Sequence, residues 1–306
     1  LIEEVCGIKC GLKDMSPIAV ERGFTEKYIS RPDKKTITKQ IQNSFRRVSK
    51  NHDMVIVEGT GHAGVGSVFD HSNASVAKLV GAKAIIISSG GIGRPIDEIM
   101  LNKALFEREG VKLLGVIINK VLPDKFEKIN NLVRKGLERK GVPVLGVIPY
   151  NPMLSRPTIE QILEETDFEF ICGKDYLECP ITQVIVGAME PHDAIKYIVD
   201  DSLIITPGDR EDMLMTALGC FRETDEKRLK VSGIILSGGI MPDQPILNLL
   251  NKANVPVLLS KSDTYDVATR VHDLTVKIRP KDADKVNAVV KLIKDNVDLE
   301  KILKGI

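Results

Sequence analysis

A chain of 306 residues is too long for one ordinary small core and about right for two domains. Its 43% hydrophobic content is that of a soluble globular protein, and a formal net charge of +1 gives no drive toward nucleic acid or a membrane surface. Trp is absent and aromatics make up 4%, which also argues against base-stacking platforms.

The chain opens on Leu1 inside a helical pattern, Leu1 to Cys6, so a start partway into a longer protein is expected. Residues 7–35 read as irregular, with turn signals at Ser16-Pro17, Arg22-Gly23 and Arg31-Pro32. Thr36 to Lys50 reads as an amphipathic helix carrying Ile37, Ile41 and Val48. A strand, Met54 to Val57, ends in Glu58 and enters a glycine-rich turn from Gly59 to Gly66. A carboxylate at the end of a buried strand, followed by a flexible loop, is how a nucleotide-binding α/β domain positions Mg²⁺ near a phosphate chain. The bland alternative is a flexible turn with a solvated Glu. The string Gly59-x-Gly61-x-x-Gly64 also satisfies G-x-G-x-x-G. A dinucleotide site, however, needs a helix starting within the loop and an acid ending the next strand. The next helical pattern starts only at Asn73-Ala74, and the next strand ends in Ser88-Ser89-Gly90-Gly91. No G-x-x-x-x-G-K-[ST] phosphate loop occurs anywhere in the chain.

Strand–helix alternation continues with a helix Ala74 to Val80, a strand Ala84 to Ile87 and a proline-led helix from Pro95. A strand Leu113 to Ile118, a helix Asp124 to Lys140 and a strand Val144 to Ile148 complete the first half. Apolar strands joined by helices predict a parallel sheet covered on both faces. The proline-bearing stretch 149–157 marks the boundary, giving domains of residues 1–155 and 156–306. The second half resumes with a helix Thr158 to Glu165, a strand Gln183 to Val186, a helix Pro191 to Ile198 and a strand Ser202 to Ile205. A helix from Asp209, a strand Gly233 to Leu236, a helix Pro245 to Ala253 and a strand Val255 to Leu259 follow. One or two helices fill 284–303. The fold class is therefore α/β: a nucleotide-binding parallel-sheet domain and a second, smaller α/β domain.

Cys6, Cys10, Cys172, Cys179 and Cys220 are odd in number and lack a repeated C-x-x-C, so reduced thiols and a cytoplasmic setting are expected, with Cys6 and Cys10 as core packing. No apolar run approaches a membrane span. His62 and His71 flank the glycine loop as solvated residues, and Asp70 reads as a helix cap. The run from Ile86 through Ser89-Gly90-Gly91 recurs as Ile234 through Ser237-Gly238-Gly239; both read as strand–turn–helix units using glycine for tight turns, the alternative being helix starts that accept an anion.

Val57-Glu58-Gly59-Thr60-Gly61 resembles the V-E-G-A-G-G segment of the dethiobiotin synthetase-like P-loop family. Gly115 to Lys120 and Pro143 to Pro149 are similar to its two nucleotide-base segments. Thr206-Pro207-Gly208-Asp209-Arg210-Glu211-Asp212, with Ser237-Gly238-Gly239, resembles a DRTGG domain. This pair occurs at the front of some long phosphotransacetylases and in stand-alone archaeal and bacterial proteins. The resemblance implies that Glu58 holds Mg²⁺, that Gly59 and Gly61 belong to the nucleotide-binding set, that Asn119 bonds the adenine edge and that Pro149 lines the base pocket. Asp209, Arg210, Gly238 and Gly239 become the regulatory-ligand set. Two departures stand beside it. The family's phosphate loop should lie ahead of Leu1, and Asp209-Arg210 is followed by Glu211-Asp212 rather than Thr-Gly-Gly, so the glycine pair is lost there. On the residues alone, Asp209 reads equally as a cap, and Asn119 as a turn residue.

The expected function is a nucleotide-responsive regulatory module related to the N-terminal region of phosphotransacetylases. It takes ATP and Mg²⁺ in the intact protein and a nucleotide or phosphorylated metabolite as effector, and its partner is an acyl-phosphate enzyme. A homodimer is the assembly considered. The alternative is an ATP-dependent ligase of the dethiobiotin synthetase type, working through a phosphorylated intermediate; residues 7–35 offer it few fixed polar groups.

Overall fold

The computed structural model describes residues 2–50, 52–219 and 230–306, which form two compact units. The first comprises residues 1–151 and Ile278–Ile306, the second Pro152–Lys277. The contacts thus return the tail to the first unit, although the sequence order placed it in the second half.

In the first unit, α1 (Ile2–Cys6), α2 (Leu12–Met15), α3 (Phe24–Ser30) and α4 (Lys34–Ser49) come first. The irregular stretch expected at 7–35 therefore contains two short helices. They are held by long-range contacts invisible to local periodicity. Asp14 on α2 pairs with Arg47 and accepts from Ser44 on α4 (3.0 Å), and Phe24 and Tyr28 on α3 stack edgewise on Phe69. Then α5 (Asn73–Val80) starts where the Ser72 hydroxyl accepts from the Ser75 N–H (3.1 Å) and stops at left-handed Gly81. Strands β1 (Ala84–Ser89), β2 (Leu113–Val121) and β3 (Val144–Pro149) form a parallel sheet in that order. Between them run α6 (Arg94–Glu109), with Pro95 in its first turn, and α7 (Phe126–Glu138).

Alternation on β1 and β2 sends Ile86, Val116 and Ile118 to the face covered by Ile96 and Ile99 of α6 and Val133 of α7. Ile117 and Leu145 go to the other face, toward Leu292 and Ile293. The segment 54–57 is not a strand: it pairs with no other strand, and Ile56 is 82% exposed. A strand exists only through its ladder, and β1, an edge of the three-stranded sheet, does not pair with it. Ile87 on β1 is correspondingly 67% exposed.

The second unit starts with α8 (Ile159–Glu165), which carries a complete capping box. The Thr158 hydroxyl accepts from the Gln161 N–H, and the Gln161 side chain accepts from the Thr158 N–H. The elements β4 (Glu169–Cys172), β5 (Gln183–Val186), α9 (Pro191–Ala194), β6 (Ser202–Pro207), α10 (Glu211–Gly219), β7 (Val231–Ser237), α11 (Gln244–Lys252), β8 (Val257–Leu259) and α12 (Thr264–His272) follow. Strand order is β4-β8-β7-β6-β5, parallel except for β4, which pairs antiparallel with β8. Helices α8 and α12 cover one face through Ile159, Ile162, Val267 and Val271; α9, α10 and α11 cover the other through Ala194, Met213 and Leu250. Strand β4 and helix α12 have no counterpart in the sequence-based elements. The four residues of β4 hold one buried side chain, Cys172, too few for a periodicity.

Two helices of the first unit lie past Lys277. They are α13 (Ala283–Asn296) and α14 (Leu299–Gly305), the helices expected at 284–303. Their place beside β3 explains a glycine. A Cβ on Gly146 would stand 2.6 Å from the Asn296 carbonyl oxygen, where Gly146 bridges Val297.

Candidate functional site

In the first unit the carboxyl ends of β1, β2 and β3 lie side by side. Ser89 pairs in register with Asn119, and Val121 with Pro149. In a parallel sheet this edge is where ligands bind. Asn119 and Pro149 are therefore brought together as the sequence expects. Glu58 is not: it is exposed on the unpaired segment that follows Val57, not at a strand end.

The glycine turn after Glu58 is rigidly tied. Asn73 donates its amide to the Thr60 and His62 carbonyls (both 2.9 Å), and a Cβ on Gly59 would strike that amide at 2.8 Å. Gly61 has φ 67°, a left-handed conformation that favours glycine. The Ala63 N–H donates to the Asn102 side-chain oxygen (2.6 Å), and the Gly64 N–H to His62 Nδ1 (3.2 Å). Those two donors are consumed internally, whereas a phosphate cradle needs them pointing outward. Asn73 and Asn102 were missed from sequence; the Ser72-Asn73 helix start was the one visible hint.

Asn119 uses its side-chain oxygen to accept from the Lys120 N–H (2.9 Å), and Lys120 takes φ 58°. Asn119 is thus a strand residue beside a bulge in β2, where the pairing with β3 shifts between Ile118 and Val121, and its amide N–H₂ is left to reach a ligand. Among the described residues no three His, Cys, Asp or Glu side chains gather to hold a metal. The residues present do not fit a complete ATP–Mg²⁺ site, because one exposed carboxylate and a self-bonded loop supply neither metal ligands nor phosphate donors.

Three other expectations resolve differently. His71 is half-buried: its Nδ1 bonds the Phe69 carbonyl (2.7 Å) and its Nε2 the Thr38 hydroxyl (2.8 Å). Asp70, at φ 59°, caps no α-helix and accepts from the Tyr28 hydroxyl (2.9 Å). Cys6 is exposed and Cys10 half-exposed, because α1 ends at Cys6. Cys220 lies outside the described residues.

In the second unit Pro207 pairs in register with Ser237, so the loops after β6 and β7 emerge at one edge. They touch: a Cβ on Gly208 would come within 2.1 Å of the Ile240 carbonyl oxygen. The four ligand candidates, Asp209, Arg210, Gly238 and Gly239, therefore share this edge. The detail differs from an open anion cradle. The Gly238 and Gly239 N–H groups donate to the Ser262 and Ser260 carbonyls (2.7 and 2.8 Å). Arg210 makes a two-pronged bond to Asp212 (both 2.9 Å) and donates to the Gly187 and Met189 carbonyls (both 3.0 Å). Arg210 holds the Asp212 carboxyl below the usual carboxylate range, and Asp212 in turn raises the guanidinium. Beneath the tethered loop Thr206 is fully buried, and its hydroxyl has no partner among the described residues. A Cβ on Gly187 would meet that hydroxyl at 3.1 Å. Asp209 stands exposed.

The model of the AAA domain matches residues 1–158, just over half of the chain. The chain belongs to the AAA domain family. The model of the DRTGG domain matches residues 161–274. The architecture is thus an AAA domain of the dethiobiotin synthetase type followed by a DRTGG domain. Phosphate acetyltransferases are similar over both. That of Synechocystis sp. is 25% identical over 86% of this chain and 38% of its own length. Those of Nitratidesulfovibrio vulgaris (24% identical) and Escherichia coli (20%) match over 86% and 92% of this chain and 38% and 42% of their own. The chain spans about two fifths of the length of the curated relatives it matches. A solved structure, the CBS and DRTGG domains of the regulatory region of Clostridium perfringens pyrophosphatase complexed with its activator diadenosine tetraphosphate, is 16% identical. It covers 49% of this chain and 70% of that one, with a TM-score of 0.30. Among the described residues no helix is long and apolar enough to cross a membrane.

Proposed function

We propose that the chain is a nucleotide-responsive regulatory module related to the N-terminal region of phosphate acetyltransferases. The observation that carries this reading is the similarity to those enzymes, which runs through both domains in one alignment. The effector edge is that of the DRTGG domain, and its ligand is an adenine nucleotide or a small phosphorylated metabolite. A phosphate competes with Asp212 for the guanidinium of Arg210, since both offer paired oxygens to the same fork. Taking Arg210 away from Asp212 also releases the carbonyls of Gly187 and Met189. The loop above Thr206 then loosens, and a buried hydroxyl whose unmade bond costs about 1–3 kcal/mol gains access to a partner. That loop is the element whose two states a ligand can bias.

The AAA domain takes ATP and Mg²⁺ only where a phosphate-binding segment completes it. The bare edge of β1 and the exposed Ile56 and Ile87 support an additional strand there. Asn119 and Pro149 would then face the base and Glu58 the metal. The chain as given therefore binds ATP weakly at this edge and does not hydrolyse it.

The test couples module to partner. Acetyl transfer by the catalytic portion of a phosphate acetyltransferase is measured with and without this chain, across AMP, ATP and acetyl phosphate concentrations. The expected result is an effector dependence that exists only when the chain is present and is lost with Arg210→Ala. Steady-state ATPase activity of the chain alone, abolished by Glu58→Gln, would instead establish the ligase-type reading.

A further inference from the structure

The guanidinium of Arg210 is held entirely by oxygens. Its Nη1 donates to the Gly187 carbonyl and its Nη2 to the Met189 carbonyl (both 3.0 Å), while Nε and Nη2 donate to the two Asp212 carboxylate oxygens (both 2.9 Å). The four oxygens come from the loop after β5 and the first turn of α10. We infer that this oxygen set is a divalent-cation site that Arg210 closes, and that the cation enters when a phosphate draws the guanidinium away. The inference rests on the effector role proposed for Arg210 and adds a second ligand to it.

Three observations select a hard divalent cation. The first is the donor set. Two main-chain carbonyls and a carboxylate presenting both oxygens are ligands of the kind Ca²⁺ takes, in flexible geometry at about 2.3–2.6 Å. Asp212 Oδ2 and the Met189 carbonyl already converge on one nitrogen, Nη2, at 2.9 and 3.0 Å. A cation in that nitrogen's place needs each of them about 0.5 Å nearer, a small movement for two exposed residues. Main-chain oxygens and one carboxylate suffice, so no cluster of acidic side chains is required. The second observation is Thr206. Its hydroxyl is fully buried, has no partner among the described residues, and lies against Gly187, whose carbonyl is one of the four oxygens. A neutral hydroxyl is a further oxygen for such a cation, and the cation supplies the partner this group lacks. The third is charge. Glu190, Asp209, Glu211 and Asp212 lie in the same two segments as Arg210. Asp212 first, then Glu190 and Asp209 at longer range, hold the guanidinium in its charged form. Even with Lys261, which lies beside Gly239 at this edge, the surroundings are net negative. A phosphate that takes Arg210 leaves Asp212 uncompensated and stands beside it as a like charge. A divalent cation between the two neutralises both.

The cation site and the effector are tested apart. Ca²⁺ alone is titrated by calorimetry into the full chain, native and Arg210→Ala, with circular dichroism to check the fold. Arg210→Met, which keeps the aliphatic stem without the charge, is run in parallel and carries the test where Arg210→Ala does not fold. The folded Arg210 variants should bind one Ca²⁺ at least tenfold more tightly than the native chain, and Asp212→Asn added to them should abolish it. Binding no tighter than native, or binding that survives Asp212→Asn, overturns the site. ATP is then titrated with EDTA present and again premixed with Ca²⁺. The cation should tighten binding to the native chain about tenfold and make no difference to Asp212→Asn. Equal ATP binding by the native chain in both conditions overturns the coupled entry. No ATP binding in either, with Ca²⁺ still held by the Arg210 variants, counts against the effector reading and leaves the cation site standing.

Discussion

Arg210 carries more of the second unit than its place in a short motif suggests. Its side chain joins α10 to the loop after β5 through four hydrogen bonds, so Arg210→Ala should cost about 1–3 kcal/mol in urea denaturation, together with faster hydrogen exchange at residues 187–189. The partner carboxylate gives the pH signature. Asp212 has a depressed pKa in the folded chain because Arg210 bonds it. Its contribution is therefore present above the ordinary carboxylate value and is lost as pH falls below about 4 through the folded value. The stability difference between the native chain and Asp212→Asn should shrink over that range, and a difference that persists at the acid end would count against the pairing. Gly208→Ala should be severe, costing at least about 2 kcal/mol in thermal unfolding, because the added Cβ meets a main-chain oxygen that cannot swing aside. Among the thiols, burial raises Cys172, whereas Cys6 is exposed. Iodoacetamide should label Cys6 in the native chain and leave Cys172 until unfolding.

At the scale of elements, the glycine turn after Glu58 depends on two asparagines. Asn73→Ala removes both bonds to the Thr60 and His62 carbonyls and should raise hydrogen exchange across residues 60–66, with the sheet unaffected. The same turn shows what a sequence carries and what it does not. The strands β1, β2, β3, β6 and β7 were legible because each is an apolar run between turn signals. Met54 to Val57 has the same signature and yet remains unpaired, because pattern reports what a segment can bury and not whether a neighbour is there. The short helices α2 and α3 were invisible for the converse reason, since their order comes from Arg47 and Phe69, distant in the chain. In the site, the shared edge of Gly208 and Gly238 followed from strand–helix alternation. The closure of Arg210 onto Asp212 did not, as it depends on side-chain geometry two residues apart. Asn119 falls between: its strand-end place was readable, its bond to the Lys120 N–H was not.

At the scale of the whole molecule, the two units make unequal demands on the chain. Pro152–Lys277 is continuous and carries its sheet and both helical layers, so residues 152–277 should unfold cooperatively as an isolated fragment. Residues 1–151 need α13 and α14 over Ile117, Leu145 and Ile148. A chain ending at Lys277 should retain the second unit's transition and lose the first's, as read by calorimetry. The central claim, that an anionic effector takes Arg210 from Asp212, is tested most directly by titration calorimetry of the full chain. AMP, ATP and acetyl phosphate would each be run against the native chain, Asp212→Asn and Arg210→Ala. At least one should bind the native chain, several-fold more tightly with Asp212→Asn, which removes the competing charge, and not at all with Arg210→Ala. Binding that is unchanged in both variants, or absent from all three proteins, would contradict the account.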